Sequence, residues 1–428
     1  MKISKALQSW LIMVALLATI NGFSQANYSS PYSRYGIGDL TYTNHPAQMS
    51  MGGLSVAMRN SKLINYRNPA SYTAYDSMSF VFDGGVRQRI SNWETLNNSQ
   101  QSEFSSLGYL TMGFPVTQWL KVTTGLIPLS DVGYQINDQR IVDGIGDVEQ
   151  IYEGDGGINE FFIGGGVQLS EHLSLGVNAS YVWGDIDLSR LTSFPDSLYY
   201  WSAKVSKNRH ISDVKFSYGL QYIQPINEDW RAIGGITYSN SAGLEATEEH
   251  ISTQLLRNPN SGLESVNDTI SHSPNNDGTI SLPASYGAGI MFEKNNRLKL
   301  GLDYRFENWQ DFEAFGTPDS LQNSSYIALG AEYLPEHNVL SSYFRKIKYR
   351  MGLHYSDTYL QLNNTQLTEV GIAFGVGLPV QSSGSSINLG VEVGRRGTTD
   401  NALVKENYFK FTLGISIFER WFIKRKYQ

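Results

Sequence analysis

Two stretches of this chain place ionisable side chains at every second position. In Leu298–Glu307 one register holds Lys299, Asp303, Arg305 and Glu307, and over residues 347–355 it holds Lys348, Arg350 and His354. A period of two is strand geometry, so each set projects from one face of a sheet. Arginine in such a place can grip a carboxylate head group through two parallel hydrogen bonds. The same charges can instead pair with one another and brace whatever fills the space before them. Other chemistry has little support. The seven histidines (His45, His172, His210, His250, His272, His337 and His354) are scattered, with no nucleophile elbow, zinc pair or phosphate loop around them. The acidic run Asp143, Asp147, Glu149, Glu153 and Asp155 lacks the spacing of a calcium loop and reads as a solvated loop. The chain therefore reads as no enzyme, with no cofactor and no metal site expected.

The register opposite these charges is apolar. Tyr349, Met351, Leu353 and Tyr355 alternate with Lys348, Arg350, Gly352 and His354; Leu389, Val391 and Val393 alternate with Gly390, Glu392 and Gly394; Phe409, Phe411, Leu413 and Ile415 alternate with Lys410, Thr412 and Gly414. Strands are expected to start near Phe80, Ser106, Trp119, Asn159, Leu173, Asp213, Trp230, Ala284, Leu298, Ser325, Ile347, Glu369, Ile387 and Tyr408. That is about fourteen, an even number, as a closed bacterial barrel requires. Connections are short after the even-numbered strands and long after several odd-numbered ones, at 130–158, 187–212 and 241–283; segment 334–346 is long for the short side. In hydrocarbon every backbone N–H and C=O must be paired within the protein, so a sheet can span only by closing on itself. These readings give an all-β fold, a transmembrane antiparallel β-barrel over 79–428, with both termini on the periplasmic side. Inward glycines (Gly301, Gly352, Gly390, Gly414) leave a lumen for other residues to fill.

Composition and the N-terminus agree with export. Gly 41, Tyr 26 and Phe 19 in 428 residues, with a mean hydropathy of -0.29, suit strands shared between lipid and a polar lumen. The absence of cysteine removes disulfides, thiolate metal sites and an N-terminal lipid acceptor. A net charge of -7 argues against a nucleic-acid partner. Lys2 and Lys5, an apolar run from Trp10 to Ile20 and the exit Phe23-Ser24-Gln25 read as a cleavable signal peptide over 1–25. The expected location is the bacterial outer membrane, with its lipids and lipopolysaccharide as surroundings. A basic tail, Lys424, Arg425 and Lys426, would then face the periplasm.

Segment 26–78 lacks regular alternation. It carries Gly52 and Gly53, then Asn68-Pro69-Ala70 just ahead of the first strand. Asn before Pro favours an extended or turn conformation, and an ordinary loop turn would satisfy that. With about fourteen strands behind it, this arrangement resembles the FadL-type long-chain fatty-acid transporters and the related PorV-like barrels of the type IX secretion system. The Ser33 to Asp39 stretch and the signal exit are similar to outer-membrane proteins of Bacteroidetes-type bacteria. The resemblance implies that 26–78 is a plug, or hatch, inside the barrel, with Gly52, Gly53, Asn68, Pro69 and Ala70 part of it.

The resemblance also implies a kink in the third strand that opens the wall sideways. Here that strand contains Gly125 and Pro128, and proline cannot donate to the ladder. Gly125 and Pro128 are thus candidates for a lateral opening, although Pro128 could equally end the strand at the outer rim. Two functions follow from the resemblance. One is a channel for hydrophobic or amphipathic small molecules such as long-chain fatty acids; the other is a non-transporting scaffold or secretion accessory that docks a protein partner.

Overall fold

The computed structural model describes residues 30–41, 45–195, 200–258, 262–319, 321–336, 342–380 and 384–420. The signal peptide and the basic tail expected from the sequence lie outside them. Fourteen antiparallel strands close on themselves. They are β1 (Ser79–Glu94), β2 (Ser99–Pro115), β3 (Leu120–Val142), β4 (Gly146–Gln168), β5 (Leu173–Ser193), β6 (Ser202–Pro225), β7 (Trp230–Ser239), β8 (Ser285–Lys294), β9 (Leu298–Glu307), β10 (Ser324–Tyr333), β11 (Lys348–Leu362), β12 (Thr365–Pro379), β13 (Ser386–Arg396) and β14 (Lys405–Arg420). The seam joins last to first, from Lys405 opposite Glu94 to Arg420 opposite Ser79. Closure meets the requirement for backbone pairing around the wall except where β2 and β3 part above Leu110 and Leu126.

The alternation that marks each strand becomes its two faces. On β9, Leu300, Leu302 and Tyr304 are exposed while Lys299, Gly301 and Asp303 are buried. Ile163, Ile236, Met351 and Ile372 are each more than half exposed, on strands spread around the wall. Leaving such a belt in water would forfeit about 25 cal/mol for every Å² of apolar surface, so its natural neighbour is lipid. Aromatics edge the belt: Tyr218, Tyr238 and Tyr286 stand side by side on β6, β7 and β8, with ring centroids 6.1 and 5.3 Å apart. At the other end Tyr333 faces Tyr349 across β10 and β11. Paired girdles of this kind mark the two membrane interfaces.

One expectation is corrected. The stretches 130–158, 187–212 and 241–283 are not loops. β3 and β4 continue as paired strands almost to their ends, Val142 opposite Gly146, and β5 and β6 pair as far as Thr192 and Ala203. Most of the acidic run therefore lies on β4 instead of in a loop. Residues 241–283 form an outer hairpin, Ala242–Arg257 with Glu264–Leu282, whose first strand pairs with Ser202–Ile211 of β6. Above the membrane the outer face of these ribbons meets water instead of lipid, so the outward apolar register is lost while backbone pairing and an inward apolar register persist. Ile158, Ile186, Ile211, Leu244 and Ile280 pack with Trp309 and Phe312 into a core that roofs the barrel.

Inside the wall runs the N-terminal segment. Tyr32 and Ile37 reach the roof. A four-residue helix, Pro46–Met49, begins under His45, whose Nδ1 accepts the Ala47 N–H at 3.0 Å. The other ring nitrogen therefore carries the proton and donates to Asp83 of β1 at 2.8 Å, and Tyr109 of β2 donates to the same carboxylate at 2.8 Å. The chain then turns at Gly52 and Gly53 (φ 69° and 86°), a left-handed pair that side chains would resist. Ser55 and Val56 donate their N–H groups to Asp303 of β9 at 2.6 and 2.8 Å. Asn68 caps the 3-10 turn Pro69–Ala74 and donates to Val56 O at 2.6 Å.

Such proximity of backbone to wall depends on missing Cβ atoms. A Cβ on Gly352 would lie 2.1 Å from Gly52 N, one on Gly330 2.3 Å from Met51 O, and one on Gly219 2.0 Å from Asn68 Oδ1. Gly330 and Gly352 are cross-strand partners, as are Gly176 and Gly219. Their adjacency makes shallow troughs that receive the Met51-Gly52 and Asn68-Pro69 turns.

Two outcomes are expected. Gly352→Val should cost about 1–3 kcal/mol by overpacking and expose residues 45–75 to protease, read by thermal unfolding and limited proteolysis. Asp303→Ala should leave the Ser55 and Val56 N–H groups unpaired at about 1–3 kcal/mol each, lowering the melting temperature more than Asp303→Asn does.

Candidate functional site

The wall is incomplete on one side. β2 and β3 pair only from Leu110 opposite Leu126 to Pro115 opposite Lys121, whereas β3 pairs with β4 along its whole length. Above Leu126 the β2-facing edge of β3 leaves its neighbour. A register shift lies between Pro128 and Ser130, where proline has no N–H to give. The abandoned edge is taken up by the N-terminal segment. Asp39 and Leu40 pair with Asp131 and Ser130, Thr41 N–H donates to Leu129 O at 3.0 Å, and Ser30 N–H donates to Gly133 O at 3.0 Å. Gly125 sits just below the break, paired on both sides, where a Cβ would meet Thr111 at 2.5 Å. Pro128 sits just above it.

Charge holds the substitute strand in place. Arg87 of β1 passes beneath β2, donating from Nε to Ser106 at 2.7 Å and reaching Asp131 on β3. Asp39 receives Arg89 at 2.9 Å and Arg396 at 2.6 Å, and both arginines also contact the fully buried Glu406. Burial on its own would raise the Asp39 carboxyl; Arg396 and Arg89 outweigh it and hold the group below its ordinary range.

Two cavities flank this strand, and Leu40 and Thr41 line both. The first, about 150 Å³, is bounded by Ile37, Val56, Ile127, Leu129 and Phe162, with the Lys215–Glu160 ion pair (2.6 Å) and Arg305 on its margin. It touches the wall exactly where β2 and β3 part, through Ile127 and Leu129. The second, about 120 Å³, is polar and lies against Asp39, Arg89, Arg396, His354 and Lys410.

The charges singled out in the sequence do not converge. Lys299 and Arg350 face Glu293 and Glu332 near the short-turn end, at 3.1 and 2.6 Å, with Lys348 beside them. Asp303 is bound to the inner segment, Arg305 stacks over Tyr326 at 4.1 Å, and Glu307 accepts the Trp309 ring N–H at 2.7 Å. His354 forms a third group with Glu369 and Glu392, whose ligand atoms lie within 4.8 Å of one another. Lys410 already places its ammonium 3.0 Å from Glu392 and 3.4 Å from Glu369, so the protein supplies its own cation there. Gly52, Gly53, Asn68, Pro69 and Ala70 all lie in the inner segment, buried.

Sequence reasoning missed Arg87, Asp131, Asp39, Arg396 and Glu406. Asp83, Gly85, Arg87 and Arg89 share one register of β1, a signal of the same kind as that read on β9. Asp39 carried no such signal, because its partner Arg396 lies 357 residues away.

Comparison with known proteins bears on the whole chain. No curated protein sequence matches it. Among solved structures, the CymD monoaromatic hydrocarbon channel superposes with a TM-score of 0.55 at 15% identity, covering 90% of this chain and 98% of its own. The Ralstonia pickettii toluene transporter TbuX gives 0.57 at 13%, covering 87% and 97%. A Pseudomonas aeruginosa FadL homologue gives 0.56 at 11%, covering 90% and 100%. At these identities the likeness establishes a shared fold, that of FadL-type outer-membrane barrels. Residues 6–428 match the BamG family description, nearly the full length, and the chain belongs to the BamG family.

Proposed function

We propose that this barrel admits small hydrophobic or amphipathic molecules and releases them sideways into the membrane between β2 and β3. In this reading residues 26–78 are the hatch, Gly125 and Pro128 mark the lower border of the lateral opening, and Asp39 to Thr41 are its bolt. The observation that carries it is the cavity of about 150 Å³ abutting the wall break at Ile127 and Leu129. A volume of about that size is enough for benzene, and a lining that sets Ile127, Leu129 and Phe162 beside Glu160, Lys215 and Arg305 suits a small molecule with an apolar ring and a polar edge. One-ring compounds therefore suit it better than a long-chain fatty acid, which would need the bolt to move and merge the two cavities. The structural neighbours, a monoaromatic hydrocarbon channel and toluene transporters, point the same way. No chemical change is involved; binding and hatch movement suffice.

A second reading, a sealed scaffold akin to the PorV-like accessories, is favoured by one observation. The inner segment satisfies the freed edge of β3, and the two cavities are kept apart by charged contacts.

Uptake of labelled toluene and oleate, in cells with and without the protein, separates the two. Ile127→Trp should fill the cavity and cut toluene uptake about tenfold, equal to about 1.4 kcal/mol of lost binding, while the barrel still folds. Equal uptake with and without the protein would leave only the scaffold.

Acid provides a further check. Because Asp39 is held below its ordinary range, its stabilising contribution is complete above the unfolded-state pKa of about 3.9 and disappears as pH falls through the lower folded-state value. Protease access to residues 30–41 should therefore rise only below about pH 4. In Asp39→Asn that access should already be raised at neutral pH, with the acid transition diminished.

A further inference from the structure

At the short-turn end of the barrel a cavity of about 1060 Å³ lies beneath the inner segment, which supplies its roof through Arg59 to Leu63 and Thr73 to Ala74. Arg59, Lys62, Arg231, Lys299, Lys346 and Lys348 line it, against only Glu332 and Glu336. This excess of positive charge stands in a chain whose net charge is -7, so it is a local concentration and no reflection of composition. The nearby carboxylates are already committed. Glu332 binds Arg350 at 2.6 Å, and buried Glu293 binds both Arg231 and Lys299, at 2.6 and 3.1 Å.

What is left over is positive. Lys348 lies in the field of Glu332, a single carboxylate shared with Arg350 and Lys299, and among the described residues Arg59 makes no ion pair within 4.0 Å. Arg59 is only 9% exposed and donates to two neutral oxygens, Ala70 O and Gln221 Oε1, both at 3.3 Å. Burial, and then the like charge of Arg231, lower its guanidinium to about 10. Cations crowded in a concave, low-dielectric wall focus a field that draws in anions.

Size and access choose among anions. The volume stands at the top of the ~300–1,000 Å³ range of small-molecule sites, far more than a lone inorganic ion needs. Where strands line it, through Lys299, Glu332 and Lys348, the lining residues belong to the inward register, so on that side the wall separates the space from the bilayer. Tyr343, Pro379 and Val380 add apolar surface to the lining. We infer that this vestibule receives an acidic peptide segment of a periplasmic protein, whose carboxylates pair with Lys62, Lys348, Arg59 and Arg231. The inference is independent of the lateral route, which lies on the other side of the inner segment.

The test uses the full chain in nanodiscs and a fluorescein-labelled hexaglutamate peptide, read by fluorescence polarisation. Saturable binding is expected, weakened about tenfold in Lys62→Glu/Lys348→Glu and unchanged in Lys204→Glu, whose lysine pairs with Glu264 at the far end of the barrel. Lys348→Gln, which removes charge without adding repulsion, should weaken binding in the same direction and serves if the double variant does not fold. Three results overturn the inference: no saturable binding, equal binding by the vestibule variants, or displacement of the peptide by inorganic phosphate at matched charge, which would make this a small-anion site.

Discussion

A closed sheet of this girth encloses more space than its own side chains fill, and everything else in the structure answers that constraint. The answer here is contact between backbone and backbone. Where the wall has glycine, the inner segment comes close enough for its own peptide groups to touch the strand, as at Gly330, Gly352 and Gly176. Bulky residues on both sides would have kept a gap between them, and a gap of less than a methyl group forfeits dispersion contacts on every side. Glycine in a strand normally weakens it; in this barrel the loss is offset by the segment that the glycines admit.

The same logic explains how the freed edge of β3 finds a new partner where the wall parts. β3 loses β2 above Leu126 and gains Asp39 and Leu40 in exchange. Its ladder is thus a place where two alternative partners meet one edge, and the arginines from β1 and β13 favour the inner one. Arg89 and Arg396 reach Asp39 of the inner strand from wall positions, while Arg87 ties Asp131 on β3 to β1 beside it. Ion pairs so placed are only partly exposed, which makes them less screened by salt than surface pairs.

How much of this was legible in the sequence depends on what each residue faces. β9, β11, β13 and β14 were plain because one face meets hydrocarbon and the other does not, so Leu302 and Asp303 could not be confused. The upper halves of β3 to β6 and the outer hairpin were invisible as strands, since Gln135 and Asn137 turn a polar outer face to water and Glu264 to Ser273 meet it from both sides. Gly52, Gly53 and Asn68-Pro69-Ala70 showed that the N-terminal segment turns, but their seats on Gly352, Gly219 and Gly176 are contacts across hundreds of residues. Asp39 shows the limit most clearly: nothing within its neighbourhood in the chain hints at Arg396.

The seam between β14 and β1 brings together the barrel's fourteenth strand and its first, with Arg420 set against Ser79. Until the final strand is available the sheet has two raw margins and cannot seal. The inner segment, made before any strand, is by then already tethered at residue 78 to the strand that must be sealed against. Cylinder and contents are therefore completed in one act, and a chain cut short before β14 would forfeit the enclosure that keeps its amino-terminal part in place.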